Sequence, residues 1–241
     1  GDIPIRIHRE VKGKIKQITI KHYSSKKWYA CITAEIKEKI TRSNNTKKVG
    51  IDLGLDNFIY DSDGNKIKHP KIFNKSLKKL SKEQRRLSRK KKKSKNKKKQ
   101  RIKVARVHER TVNQRNDFLH KLSRSYVKNY GFIALEKLNI KDMIKNKYLS
   151  KSIIDASWSK FIQFIQYKAE NAGVEVIKID PKNTTINCSN CGRKVPKKLY
   201  NRIHKCKCGL EIDRDYNSAI NILNIGQGLS ESTPVEIEPL R

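Results

Sequence analysis

The feature that most limits how this chain can fold is a block of basic residues near its middle. Residues 75–110 hold 19 Lys or Arg against 2 acids, a net +17 that is half of the +34 carried by all 241 residues. Such a block cannot be buried, because each desolvated and unpaired charge costs several kcal/mol. It must stand in water or against a polyanion. Leu77, Leu80 and Leu87 nevertheless recur at helical spacing, and so do Ile102, Ala105, Val112, Leu119 and Leu122. Apolar stripes of that period predict two helical stems, interrupted at Ser94-Lys95-Asn96. Residues 75–129 therefore read as a long helical hairpin with a lysine-rich tip. For the whole chain, 57 Lys+Arg oppose 23 Asp+Glu at a pI of about 10.1. That excess repels itself unless a polyanion neutralises it, and nucleic acid does so by releasing counterions from its phosphates. Arg85, Arg86, Arg89, Lys90, Lys91, Lys92 and Lys93 are the candidate phosphate-binding residues.

An anionic membrane is the competing partner, but the basic residues span mixed secondary structure rather than one amphipathic helix. No apolar run approaches the ~20 residues of a membrane span, and no signal peptide opens the chain. An intracellular (cytoplasmic) protein with no membrane partner and no small-molecule substrate is expected. The sequence begins at Gly1 and its single methionine is Met143, as expected of a fragment or processed chain.

Residues 1–48 alternate apolar and polar with period two, through Ile3, Ile5 and Ile7, then Ile15, Ile18 and Ile20, then Trp28 to Ile36. Three antiparallel strands are predicted, the end of a β-barrel, with Cys31 a small buried hydrophobe on the last. Residues 49–68 read as a three-stranded meander turning at Asp63-Gly64-Asn65. Gly131 to Glu136 reads as a strand covered on both faces. An amphipathic helix is predicted over 155–172, a strand over 174–179 and a helical segment over 214–224, with a disordered tail at 226–241. The domain expectation is a barrel end at 1–48, an α/β nuclease-like domain at 49–186 containing the hairpin, a cysteine-rich insert at 187–211, and a last segment at 212–225.

Two constellations carry chemistry. Cys188-x-x-Cys191-Gly and Cys206-x-Cys208-Gly can place four thiolates tetrahedrally around one structural Zn²⁺. The second pair has one intervening residue instead of two, so His204 is an alternative ligand, and redox chemistry is the competing use of the thiols. The other constellation is three acids where a basic protein has little reason to bury them. Asp52 lies inside an apolar strand, Glu136 closes another, and Asp215 opens the last helix. Singly they read as a turn former, a strand-end acid and a helix cap. Jointly they offer the oxygen ligands Mg²⁺ prefers, and two such ions can clamp a phosphate displacement.

The stretches Gly50-Ile51-Asp52-Leu53-Gly54, Ile133-Ala134-Leu135-Glu136-Lys137-Leu138-Asn139 and Asp213-Arg214-Asp215-Tyr216-Asn217-Ser218-Ala219-Ile220-Asn221-Ile222 resemble the three RuvC-type motifs of the TnpB family. Gln84 to Lys91, Arg115 to Leu122 and Cys188-Ser189-Asn190-Cys191-Gly192 resemble the same family, and the match spans roughly residues 1–225. TnpB proteins are transposon-encoded, RNA-guided DNA nucleases related to the type V CRISPR effectors. The resemblance implies an RNase H-like (RuvC) α/β fold with a zinc-ribbon insert. It implies two Mg²⁺ held by Asp52, Glu136 and Asp215, with hydrolysis leaving a 5′-phosphate and a 3′-hydroxyl. Guide RNA and target DNA are the implied partners, with the ribbon close to the DNA strand. Family members carry a recognition region and the start of the barrel before this point. The alternative from another class is a nuclease-silent protein that binds guide RNA or DNA as repressor or scaffold; a bare zinc-ribbon binder would need neither Asp52 nor Glu136.

Overall fold

The computed structural model describes residues 4–8, 10–36, 43–198 and 200–232, with side chains to 229. They form two compact units, Gly1–Lys39 with Ile72–Asn116 and Ile40–Lys71 with Asp117–Arg241.

In the first unit, β1 (Lys14–His22) and β2 (Trp28–Glu35) form an antiparallel hairpin. The strand predicted around Ile5 and Ile7 is not formed: residues 4–8 are irregular and both isoleucines are exposed. With two strands and no covering sheet among the described residues, Cys31 is exposed, not buried as its apolar neighbours suggested. The basic hairpin is present as α1 (Ile72–Ser88) and α2 (Lys95–Asn129). Ser94 caps α2, its hydroxyl accepting from the Lys97 N–H at 3.1 Å. The stems are joined by a buried polar contact: the Gln100 amide donates to Glu83 Oε2 at 2.6 Å and to the Glu83 carbonyl at 3.1 Å. Arg86 completes it with a 2.9 Å bond to Glu83 Oε1. Tyr29 and Lys27 reach Glu109 on α2 at 3.2 and 3.1 Å, which fixes the β-hairpin against that helix.

The second unit is built on a five-stranded mixed sheet. Its strands are β3 (Lys48–Asp52), β4 (Asn57–Asp61), β5 (Lys66–Lys68), β6 (Phe132–Glu136) and β7 (Glu175–Ile179), in the order β5-β4-β3-β6-β7. The meander β3-β4-β5 is antiparallel, while β6 and β7 extend it in parallel from β3. Alternation assigns the two faces. Val49, Ile51, Ile133 and Leu135 join Leu119, Trp158, Phe161 and Ile165 in one core, beneath the end of α2, α4 (Ser150–Ala156) and α5 (Trp158–Ala172). Ser157, in the left-handed region at φ 55°, separates α4 from α5 and breaks the single helix expected from residue 155. A short α3 (Ile140–Met143) precedes them.

Phe132, Ala134 and Ile179 face the other way and pack on Ile222 of α6 (Arg214–Ser232). A Cβ on Gly50 would lie 2.2 Å from the Ala219 carbonyl oxygen, and one on Gly226 would lie 2.6 Å from Ala134 Cβ. Both glycines let α6 approach the sheet more closely than any side chain allows. The helix passes Ala134 at Gly226 and runs on to Ser232 instead of ending near 225. Residues 233–241 of the predicted tail lie outside the described residues.

Candidate functional site

The sheet alternation that buries α6 also aims the acids. In β3 and β6 the residues facing α6 are Gly50 and Asp52, and Phe132, Ala134 and Glu136. The strands are parallel neighbours with Ile51 opposite Leu135. Asp52 and Glu136 thus end adjacent strands in matching register, about 5 Å apart by strand spacing. Asp215 lies in the first turn of the helix that covers this face. The structure brings all three predicted acids together: Asp52 is 8% exposed, Glu136 7%, and the Asp215 side chain 15%.

The electrostatics of the cluster are lopsided. Asp215 Oδ1 accepts from Arg214 Nε and Nη2 at 3.0 and 2.9 Å, and Arg202 Nη1 lies 3.6 Å from Oδ2. Glu136 accepts a 2.6 Å hydrogen bond from the Thr184 hydroxyl. Burial, then the charges of Glu136 and Asp215, lift the Asp52 carboxyl well above the usual carboxylate range, against a partial lowering by Arg214. Burial also raises Glu136, with Thr184 opposing. Two buried acids short of counter-charge, beside a third, favour a cation of higher charge density than a guanidinium. The oxygen-only donor set suits Mg²⁺.

Asp213 ends β9 (Glu211–Asp213) and has a different task. Its Oδ1 accepts from the Asp215 N–H at 2.9 Å, and its Oδ2 lies 3.1 Å from Lys66 Nζ. It is the N-cap of α6, leaving Asp215 free to turn toward the other acids.

The four cysteines also converge. β9 pairs antiparallel with β8 (Ile203–Lys205), which carries the second cysteine pair to the first. The Sγ atoms of Cys188, Cys191, Cys206 and Cys208 all lie within 4.8 Å of one another. Cys188 to Cys208 is 3.7 Å and Cys191 to Cys206 is 3.6 Å. A tetrahedron with Zn–S near 2.3 Å has edges of about 3.8 Å, so the thiols fit zinc. Gly192 and Gly209, at φ 72° and 93°, make the turns after each pair, where a side chain would be strained. The single residue between Cys206 and Cys208 is accommodated. His204 is outside the cluster: it is buried, with Nδ1 against Lys197 Nζ.

The seven basic hairpin residues, Arg85, Arg86, Arg89 and Lys90 to Lys93, are all exposed at the end of α1 and the turn after it. Asn217 and Asn221 lie in the last of the stretches that carry the resemblance but had no role assigned there, and Thr184, which bonds Glu136, escaped the sequence reading. Two buried asparagines four apart on an apolar helix were the available signal; Thr184 had none.

A family model described as "Probable transposase" matches residues 31–147, and one described as "Cas12f1-like, TNB domain" matches residues 158–222. A protein of Streptomyces pristinaespiralis named "Putative RNA-guided DNA endonuclease" is 37% identical over 88% of this chain and 53% of its own length. "Putative RNA-guided DNA endonuclease InsQ" of Escherichia coli K12 is 32% identical over 95% of this chain and 61% of its own. A solved Cas12f1–sgRNA–target DNA complex shares the fold at a TM-score of 0.54 and 19% identity, over 86% of this chain and 55% of that one. The fold is that of an α/β protein resembling the Cas12f1 structure. The chain belongs to the TnpB family. It spans between half and two thirds of the length of these two relatives.

Proposed function

We propose that this chain carries the nuclease part of an RNA-guided, Mg²⁺-dependent DNA endonuclease, with guide RNA and target DNA as its partners. The observation that carries this reading is the meeting of Asp52, Glu136 and Asp215 on one side of the sheet, two of them buried with too little positive charge. The order β5-β4-β3-β6-β7, with α6 across the acid-bearing face, supports assignment to the RNase H-like (RuvC) class. The names of the relatives support the substrate class. The cysteine unit, resting on the first turns of α6, is read as a zinc ribbon that holds nucleic acid near the acids. The domain reading is a barrel end at 1–48, the nuclease domain with its hairpin at 49–186 and a ribbon at 187–211, now with the last segment running through α6.

Bound Mg²⁺ would supply charge to stabilise the developing phosphorane and to activate the attacking oxygen. This chain's residues do the rest. Asp52, Glu136 and Asp215 would hold the cations, and Asp213 fixes the helix end from which Asp215 projects. Arg214 and Arg202 lie against the Asp215 carboxylate and fix its orientation. Exposed Arg85 to Lys93 attract phosphates irrespective of sequence. The test is to purify the intact protein with its nucleic acid, sequence the RNA, and offer DNA matched to it. Cutting of matched DNA that needs a divalent cation is the expected result. Specific binding without cutting would mean a nuclease-silent binder.

A further inference from the structure

Glu136 has one side-chain hydrogen bond among the described residues, and its donor is buried. Thr184, 1% exposed, places Oγ1 2.6 Å from Glu136 Oε1 and 3.0 Å from the Pro181 carbonyl. A hydroxyl has one proton, and a length of about 2.5–2.7 Å belongs to an O–H···O⁻ bond. The proton therefore goes to the carboxylate.

Thr184 is itself held by the helix that bears Asp215. The Asn221 amide donates to the Thr184 carbonyl at 2.8 Å and to the Asn187 carbonyl at 2.7 Å. One turn earlier, Asn217 donates to the Asn187 carbonyl at 2.8 Å and accepts from the Ser189 N–H at 2.9 Å. Both amides are buried. A continuous path of hydrogen bonds thus runs from β6 to α6 and on to the residue after Cys188.

We infer that Thr184 is a positioning residue for the cation site: its hydroxyl fixes the Glu136 carboxylate, and Asn221 ties it to the helix of Asp215. This rests on the carboxylate reading above. Free to rotate, Glu136 would reach the cation only at an entropic cost, and partners of this kind are worth about 10–100-fold in metal affinity.

The probe is Mn²⁺ binding to the zinc-loaded 241-residue chain, followed by the paramagnetic resonance of the free ion. Zinc content and thermal unfolding report folding. Wild-type binding should be abolished by Asp52→Ala. Thr184→Val, which keeps the shape without the donor, should weaken Mn²⁺ binding about tenfold or more, and Thr184→Ser should recover most of it. Thr184→Ala is measured in parallel in case the valine does not fit. Wild-type affinity in the valine or alanine variant, or a serine variant no better than valine, overturns the role. Loss of folding in both valine and alanine variants makes Thr184 a structural residue instead. Mn²⁺ binding indifferent to Asp52→Ala overturns the carboxylate reading, and this role with it.

Discussion

Replacing Asp213 by alanine should cost stability and spare the reaction, while the same change two residues later should do the reverse. Asp213 Oδ1 caps α6 through the Asp215 N–H, a bond whose loss costs roughly 0.5–2 kcal/mol. Its other oxygen meets Lys66 Nζ at 3.1 Å, with the two side chains 29% and 48% exposed. A pair that wet adds at most about 1 kcal/mol after screening. Together the loss is roughly 0.5–3 kcal/mol, a fall in Tm of about 2–4 °C for each kcal/mol in a protein of this size. Asp215→Ala removes a ligand instead of a cap. Cleavage of matched DNA by the guide-loaded intact protein should fall by more than about 100-fold, since even the partners of metal ligands are worth about 10–100-fold. Nucleic-acid binding should survive. Thermal unfolding and Mg²⁺-dependent cleavage, measured on both variants, separate the roles. An inactive Asp213 variant beside an active Asp215 variant would reverse the assignment, and two active variants would remove the acids from the reaction.

Metal analysis should find about one zinc per chain, and Cys188→Ser should abolish it while the five-stranded sheet still unfolds cooperatively; protein prepared without chelator and free of zinc would refute the site. Neutralising Lys90 to Lys93 should weaken DNA binding across all sequences and flatten log K against log salt by up to about one unit for each phosphate no longer neutralised; an unchanged slope would make the tip a solvated surface. Burial raises the Asp52 and Glu136 carboxyls in the folded chain, so the native state keeps protons that the unfolded state releases above about pH 4. Their contribution destabilises increasingly as pH rises through the folded-state values. Without divalent cations, Asp52→Asn should therefore raise Tm at neutral pH, with the gain vanishing below about pH 4; a gain independent of pH would point to a cause other than charge.

Elements whose pattern is local were readable from the residues. The helical stems follow from leucine spacing, and β3 and β6 from short apolar runs each closing on a carboxylate. The cysteine spacing foretold the thiol cluster, though not that Cys206-x-Cys208 would suffice without His204. What depended on distant partners was not readable. Ile5 and Ile7 alternate as a strand should, yet with no strand to pair among the described residues they are irregular. Cys31 lies in β2 as its pattern suggests, but it is exposed. The close approach of α6 to β6 at Gly226 depends on Ala134, far earlier in the chain. Thr184 gave no sign at all, because its role exists only once β6, α6 and the loop before Cys188 are brought together.

The most direct test of the central claim is Glu136→Gln in the guide-loaded intact protein. Glutamine keeps the size and can still accept from Thr184, but it removes the charge that holds a cation. Cleavage of matched DNA in Mg²⁺ should be lost while RNA and DNA binding and zinc content are preserved and the protein still unfolds cooperatively. Cutting at the wild-type rate would contradict a site built from Asp52, Glu136 and Asp215.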